Sequence, residues 1–170
     1  MDNNNNINNN DNNNDINIFV DGACSGNGKA YAKAGIGIHF PEKEFLDMSE
    51  RFIIKPITNQ RAELYAIYVA LLKISNKFKV INIYTDSQYS INCLTIWKRN
   101  WKLNNWKTAK NKSVLNLDLL QAIYKLIDDI KYSKCVVKFH HVKSHTKNTD
   151  WMSNGNRKAD ELAVAGINLG

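Results

Sequence analysis

The sequence predicts an α/β domain: a mixed five-stranded sheet flanked by helices. Three short runs that alternate apolar and polar residues come first and are separated by turns, which is typical of antiparallel strands. Two later apolar runs each follow a helical pattern, and a helical crossover is the usual connection between parallel strands. The chain therefore begins with three antiparallel strands and continues with parallel ones.

The first three strands are predicted at 16–20, 34–40 and about 44–54. Ile16, Ile18 and Val20 alternate with polar or outward-facing positions, as in a half-buried strand. Asp21 follows this strand and opens a turn that contains several glycines. A hairpin turn is predicted at 41–44, and the third strand stops before Pro56.

Helices and strands alternate in the second half of the chain. Thr58 or Asn59 is predicted to cap the first helix, in which apolar residues from Leu64 to Leu72 recur at helical spacing. The later elements are predicted to be a buried strand at 80–85, a helix at about 87–97, a helix with an apolar stripe from Leu115 to Ile130, a strand at 134–142 and a final helix at 156–168.

Composition limits the domain organisation. Eleven of the first seventeen residues are Asn, so residues 1–14 are predicted to be a disordered tail and residues 15–170 one folded domain. The chain has no signal-peptide pattern and no apolar stretch long enough to span a membrane. Its three cysteines are widely spaced, which argues against a disulfide framework or a structural zinc site. We expect a soluble, intracellular protein of the cytoplasm or nucleus.

Most of the excess positive charge lies in residues 97–112, the basic segment. It contains six basic and no acidic residues, whereas the whole chain carries a net charge of +7. Three of the four tryptophans, Trp97, Trp101 and Trp106, lie in it. The lysines could neutralise phosphates while the rings pack on sugars or support the segment from below. A solvated helix face is the alternative, and we favour a nucleic-acid contact.

Four carboxylates are candidates for a metal site. Asp21 and Asp86 follow apolar strands, where sites form in open α/β sheets, although Asp is also common as a turn or cap residue. Glu63 lies at the edge of the apolar stripe of its helix, and Asp160 lies near the start of the last predicted helix. If these acids converge, their repulsion favours a bound divalent cation, and oxygen ligands favour magnesium or manganese.

These motifs together resemble those of type 1 ribonuclease H. The matching segments are Asp-Gly-Ala-Cys-Ser-Gly-Asn-Gly at 21–28, Thr-Asn-Gln-Arg-Ala-Glu-Leu at 58–64, Tyr-Thr-Asp-Ser-Gln-Tyr at 84–89, His-Val-Lys-Ser-His at 141–145 and Asn-Arg-Lys-Ala-Asp-Glu-Leu-Ala at 156–163. They occur in the family's order, and the basic segment, with Trp106-Lys107-Thr108, resembles the basic protrusion of the cellular enzymes. The resemblance covers the whole folded chain and implies a ribonuclease H-like fold.

The resemblance implies endonucleolytic hydrolysis of the RNA strand of RNA–DNA hybrids, giving 5′-phosphate and 3′-hydroxyl products. Asp21, Glu63, Asp86 and Asp160 would bind two Mg²⁺ ions, with Mn²⁺ as a substitute, and catalyse the reaction with His145 on a mobile loop. The family's substrate contacts match Cys24, Ser25, Asn27, Thr58, Asn59, Gln60, Gln88 and Asn116, together with Lys98, Arg99, Trp101, Lys102, Trp106 and Lys107 of the basic segment. We expect a free-standing monomer without an obligate protein partner.

The sequence departs from the family pattern at two places. Pro56 stands where the family often has Arg, two residues before the threonine that grips a DNA phosphate, and Lys55 is a substitute one position away. Residues 148–154 are predicted to be additional loop between His145 and Asp160. Two alternatives stay open: a resolvase- or integrase-like nuclease of the same fold, and a hybrid-binding module without catalysis.

Overall fold

The computed structural model describes residues 14–74, 78–144 and 146–169. The predicted disordered tail, apart from Asn14, and His145 therefore lie outside the described residues. Within the described ranges the strands are β1 (Asp15–Ser25), β2 (Lys33–His39), β3 (Met48–Phe52), β4 (Val80–Thr85) and β5 (Val136–His141). The helices are α1 (Asn59–Lys73), α2 (Gln88–Leu94), α3 (Trp97–Leu103), α4 (Leu117–Tyr132) and α5 (Trp151–Ile167).

The five strands form one sheet in the order β3-β2-β1-β4-β5. The pairs β1–β2 and β2–β3 are antiparallel, and the pairs β1–β4 and β4–β5 are parallel. The predicted mixed sheet of three antiparallel strands followed by parallel strands is therefore confirmed. Among the described helices, none has the length and apolar character needed to cross a bilayer.

Helices cover both faces of the sheet. On one face, buried strand residues such as Ile18 and Ile83 pack with Leu64 of α1 and Leu120 of α4. On the other face, α5 packs directly on β2. A Cβ atom at Gly37 would overlap the backbone of α5, so glycine is what permits this close approach. The close packing positions Asp160 of α5 beside β1.

The first strand is longer than predicted. Asp21 lies inside β1, because antiparallel pairing with β2 continues to Ser25 and Lys33. Parallel pairing with β4 ends earlier, at Phe19 and Tyr84. Asp21 therefore lies just beyond the end of the parallel pairing, beside the end of β4.

The third strand is shorter than the predicted 44–54, which was wrong at both ends. Its start is delayed because the Asp47 carboxylate closes the preceding loop. That carboxylate accepts a hydrogen bond from the Phe40 backbone N–H at 2.9 Å and lies 2.8 Å from His39 Nδ1. The Asp47 side chain thus pairs with a backbone N–H that a longer hairpin would have paired with the opposite strand.

The last helix begins five residues before the predicted start, at Trp151. Asp150 caps it by accepting a hydrogen bond from the Ser153 backbone N–H at 3.0 Å. The Trp151 ring packs on Phe19 and Tyr84, with centroids 4.9 and 5.2 Å away. The prediction of additional loop at 148–154 is therefore wrong from Trp151 onwards, and Asp160 lies in the middle of α5 rather than near its start.

Two further predictions needed correction around the basic segment. The helix predicted at about 87–97 ends earlier, at Leu94. Residues 97–103, for which the sequence predicts no separate element, form α3. Leu115 is 72% exposed and precedes α4 instead of joining its apolar stripe. The next residue, Asn116, adopts a left-handed backbone conformation, so the helix begins only at Leu117.

Candidate active site

An acidic cleft of about 500 Å³ lies where the parallel pairing of β1 and β4 ends. It is lined by Asp21 of β1, Glu63 of α1, Asp86 after β4 and Asp160 of α5. Carboxylate oxygens of Asp21, Glu63 and Asp86 lie within 4.8 Å of one another. Four separate elements therefore bring the four candidate acids to one place.

Close backbone packing and two amides hold these carboxylates. A Cβ atom at Gly22 would overlap the backbone nitrogen of Glu63, so this glycine lets α1 lie against β1. Asn59 donates from Nδ2 to Glu63 Oε1 at 3.4 Å. Asn156 donates from Nδ2 to Asp86 Oδ2 at 3.3 Å.

The acids are held close together at an electrostatic cost. Burial, and then the charges of Asp86 and Asp160, raise the pKa of Asp21 to about 8. Burial, and then the charges of Asp21 and Asp86, raise the pKa of Glu63 well above its usual value. No lysine, arginine or histidine lines the cleft among the residues described, so the carboxylates face one another there without a basic side chain between them.

The residues of the cleft fit a bound divalent cation. Glu63 Oε2 is buried and has no hydrogen-bond partner within the described part of the chain, which is costly for an ionised oxygen. The donors are carboxylate oxygens, the ligands that Mg²⁺ and Mn²⁺ prefer. The cleft is thus a candidate metal site.

Stability of the metal-free protein should depend on pH through Asp21. Its pKa is about 8 in the folded chain against an ordinary value of 3.8, so between these values the folded chain binds more protons than the unfolded chain. Stability then falls as pH rises through this window. We expect the melting temperature in chelator to fall across the window and excess Mg²⁺ to restore it near pH 8. Asp21→Asn should lessen the decline and leave the part that comes from the raised pKa of Glu63; an unchanged decline in that variant would contradict the assignment.

Several of the predicted substrate-contacting residues surround the acids. Cys24, Asn59, Gln60 and Gln88 line the same cleft. Asn27 lies on the turn after β1, where its Oδ1 accepts a hydrogen bond from the Asn59 backbone N–H at 3.1 Å. Ser25 ends β1 at the surface. The structure therefore places the β1 turn and the start of α1 side by side at the rim of the cleft.

Thr58 and Asn116 lie outside this cleft, at the starts of α1 and α4. Thr58 caps α1 by accepting from the Arg61 backbone N–H at 3.3 Å. Arg61 joins the two helix starts, because its guanidinium donates to both oxygens of Asp118 at 2.8 and 2.6 Å. Arg61 is 3% exposed, and its hydrogen bonds lower the pKa of Asp118.

The basic segment packs on α4 through its aromatic rings. Trp106 stacks on Tyr124 with centroids 5.6 Å apart, and Lys98 Nζ lies 4.5 Å from the Tyr124 centroid and 3.6 Å from Asp128 Oδ1. Trp101 packs on Trp97 at 5.4 Å. These contacts agree with the interpretation in which the rings support the segment from below. Its exposed basic side chains are Arg99, Lys102, Lys107, Lys110 and Lys112.

Sequence reasoning missed two residues of the site. Asn156, which is 4% exposed, contacts Asp86, and Tyr89 lines the cleft. Asn156 lies four residues before Asp160, one helical turn away, and this spacing was a usable signal. Tyr89 gave no comparable signal, because its partners come from distant parts of the chain.

The RNase H family model matches residues 13–168. A protein of Acanthamoeba polyphaga mimivirus named probable ribonuclease H is 39% identical over 142 residues, which cover 81% of this chain and 60% of that protein. The ribonuclease H of Rickettsia typhi is 36% identical over 151 residues, 88% of each chain. The chain thus spans less than two thirds of the viral relative.

The fold has solved counterparts. The solution structure of the PFV RNase H domain matches with a TM-score of 0.67 and 24% identity, over 89% of this chain and 93% of that one. At this level of identity the match shows a shared fold. It agrees with the sheet order and the flanking helices described above.

Proposed function

The chain belongs to the ribonuclease H family, and we propose on that basis that it hydrolyses the RNA strand of RNA–DNA hybrids. The reaction is endonucleolytic and gives 5′-phosphate and 3′-hydroxyl products. The observation that carries the proposal is the cleft in which Asp21, Glu63, Asp86 and Asp160 meet without a basic side chain among the described residues. Since one chain supplies all four acids, we propose that it acts as a monomer.

The four carboxylates would hold two divalent ions. These would be Mg²⁺, with Mn²⁺ as a substitute. Such ions lower the pKa of an attacking water and stabilise the leaving oxygen of a phosphodiester. The protein's part is to hold the acids in place: Gly22 sets the approach of Glu63, and Asn156 orients Asp86. We propose that His145, which lies outside the described residues, assists proton transfer or product release, as the family resemblance implies.

Substrate selection is assigned to the polar rim of the cleft. Cys24, Ser25, Asn27, Asn59 and Gln60 would contact the minor groove of the hybrid, and Gln88 would contact a further nucleotide. Their hydrogen-bonding groups next to the acids support this, because ribose 2′-hydroxyls distinguish RNA from DNA there. Thr58 and Asn116 would bind a phosphate of the DNA strand at the joined starts of α1 and α4.

A cleavage assay on matched duplexes tests the proposed function. An RNA–DNA hybrid, a double-stranded RNA and a double-stranded DNA of the same sequence are incubated with Mg²⁺ or with chelator, with each strand labelled in turn. We expect cleavage of the RNA strand of the hybrid alone, and only with Mg²⁺. Equal cleavage of double-stranded RNA, or cleavage in chelator, would refute the proposal.

The basic segment should supply affinity rather than chemistry. We propose that the exposed Arg99, Lys102 and Lys107 bind phosphates, whereas Lys98, held by Tyr124 and Asp128, mainly anchors the segment. Trp101 and Trp106 would place these side chains against the hybrid. The salt slope is the steepness with which the logarithm of the binding constant falls as the logarithm of the salt concentration rises. Removing one basic side chain that binds a phosphate should lower this slope by about one unit.

Replacing Arg99, Lys102 and Lys107 together by Ala should therefore raise KM and lower the salt slope by up to about three units, with kcat at saturation unchanged. Lys98→Ala is the matched control: we expect a lower melting temperature and a nearly unchanged slope. Salt titrations of hybrid binding measure both variants. A triple variant with the wild-type slope would show that the segment does not contact the hybrid.

A further inference from the structure

The side chain of Asn116 is held by a tyrosine instead of capping its own helix. Asn116 directly precedes α4 in a left-handed conformation, with φ 59° and ψ 25°, which Asn tolerates better than most residues. It makes no side-chain cap with α4. Its Nδ2 donates instead to the Tyr89 hydroxyl at 2.9 Å.

Tyr89 connects this amide to the acidic cleft. It lies in the first turn of α2, three residues after Asp86, and it lines the cleft with the four acids. Its ring packs edge-on against Trp97, at the start of the basic segment, with centroids 6.2 Å apart. Burial raises the pKa of Tyr89 to about 12, so the hydroxyl keeps its proton at neutral pH. One side chain thus touches the cleft, the start of α4 and the basic segment.

The hydrogen bond to Tyr89 restrains a rotation of the Asn116 side chain that the neighbouring interactions leave free. The bidentate pair of Arg61 and Asp118 holds the start of α4 on α1, which restrains the backbone next to Asn116. The pair does not reach the Asn116 amide, which could rotate about its side-chain bonds. Within the described residues, the hydrogen bond to Tyr89 is the side-chain interaction that restrains this rotation.

We propose that Tyr89 is a positioning residue that holds the Asn116 amide, and with it the DNA-strand contact, in a set place relative to the carboxylates that cut the RNA strand. This inference rests on the proposed function, in which Asn116 binds a phosphate. A bound hybrid must contact the Asn116 amide and the carboxylates at the same time. An amide that is already held in place loses less conformational entropy when the hybrid binds. The contribution belongs to binding and should affect KM rather than kcat.

A double-mutant cycle tests the coupling. Tyr89→Phe removes only the hydroxyl, and Asn116→Gly removes the amide while tolerating the positive φ that Ala would strain. Both variants and their combination are compared with wild type for hybrid affinity without metal, and for KM and kcat with Mg²⁺. We expect Tyr89→Phe to raise Kd and KM by about three- to tenfold, the size of one neutral hydrogen bond, with kcat unchanged. In the Asn116→Gly background, Tyr89→Phe should add almost nothing.

Tyr124→Phe is the matched control. Its hydroxyl also lies in this region and donates to the Cys93 backbone oxygen at 2.7 Å, but it does not contact Asn116. Phe keeps the ring that packs on Trp106 and Lys98, so the support of the basic segment is retained. We expect this variant to lower the melting temperature without changing Kd or KM. An equal rise in KM in Tyr124→Phe would show a general structural effect and overturn the proposal.

The outcomes separate the role of Tyr89 from the phosphate contact and from the proposed function. Additive effects of Tyr89→Phe and Asn116→Gly, or an unchanged Kd in Tyr89→Phe while Asn116→Gly weakens binding, would overturn the role of Tyr89 and leave the phosphate contact in place. An unchanged Kd in Asn116→Gly would overturn both. A wild-type protein that binds the hybrid without cleaving it would contradict the proposed function, and the binding cycle would still decide the role of Tyr89.

Discussion

Asp86→Asn is expected to lower cleavage of the hybrid by ~10³-fold or more while leaving hybrid affinity nearly unchanged. Asn keeps the size of the side chain but removes the charge from the centre of the cleft, where Asp86 lies among Asp21 and Glu63. Phosphate binding is assigned to other segments, so affinity should persist. Single-turnover cleavage and hybrid binding, measured on the same preparation, check both parts.

Glu161→Gln is the matched control for this charge removal. Glu161 follows Asp160 on α5 but points to solvent, where its side chain is 59% exposed and pairs with Lys158 at 3.5 Å. We expect wild-type cleavage from this variant. Undiminished cleavage by Asp86→Asn with Mg²⁺ would show that the cleft is not the catalytic site.

Gly22→Ala is expected to impair cleavage by about 10²-fold and to lower stability as well. The added methyl group would overlap the backbone at Ala62 and Glu63, so α1 must move away from β1. That movement separates Glu63 from Asp21, and displacements of about 1 Å can cost 10²-fold in rate. Overpacking of this kind usually costs about 1–3 kcal/mol of unfolding free energy. Cleavage rates and chemical denaturation measure the two effects.

Gly28→Ala provides the comparison for Gly22→Ala. A Cβ atom at Gly28 meets no heavy atom within 4 Å, although its φ of +75° strains an alanine. It should lose stability by about 1–2 kcal/mol without a matching loss of cleavage per folded molecule. If Gly22→Ala cleaves as fast as Gly28→Ala at equal folded fraction, the close approach of α1 does not position Glu63.

The sequence predicted well whatever depends on short-range patterns. The strand 80–85 and the capping of α1 by Thr58 follow from local periodicity and from hydrogen bonds between near neighbours, and both are confirmed. The mixed sheet also follows, because turn lengths and helical crossovers restrict how strands pair. Asp21 and Asp86 could be singled out because apolar strands end beside them, and Glu63 because it lies at the edge of a helical apolar stripe.

Contacts between distant segments decided the rest. Asp118, the partner of Arg61, lies 57 residues away, and no local pattern indicates that such an arginine is buried. The early start of α5 depends on the contact of the Trp151 ring with the rings of Phe19 and Tyr84, which come from distant strands.

The sequence by itself therefore determined most of the element types, the sheet class and which four acids line the cleft, since these rest on patterns within one or two turns of chain. The tertiary structure alone decided that Lys98 is held by Tyr124 and Asp128, that Asn156 contacts Asp86 and that Tyr89 holds Asn116. The physical reason is that a polar side chain can satisfy its hydrogen bonds with any of several partners. Packing of the whole chain determines which of these partners comes within reach.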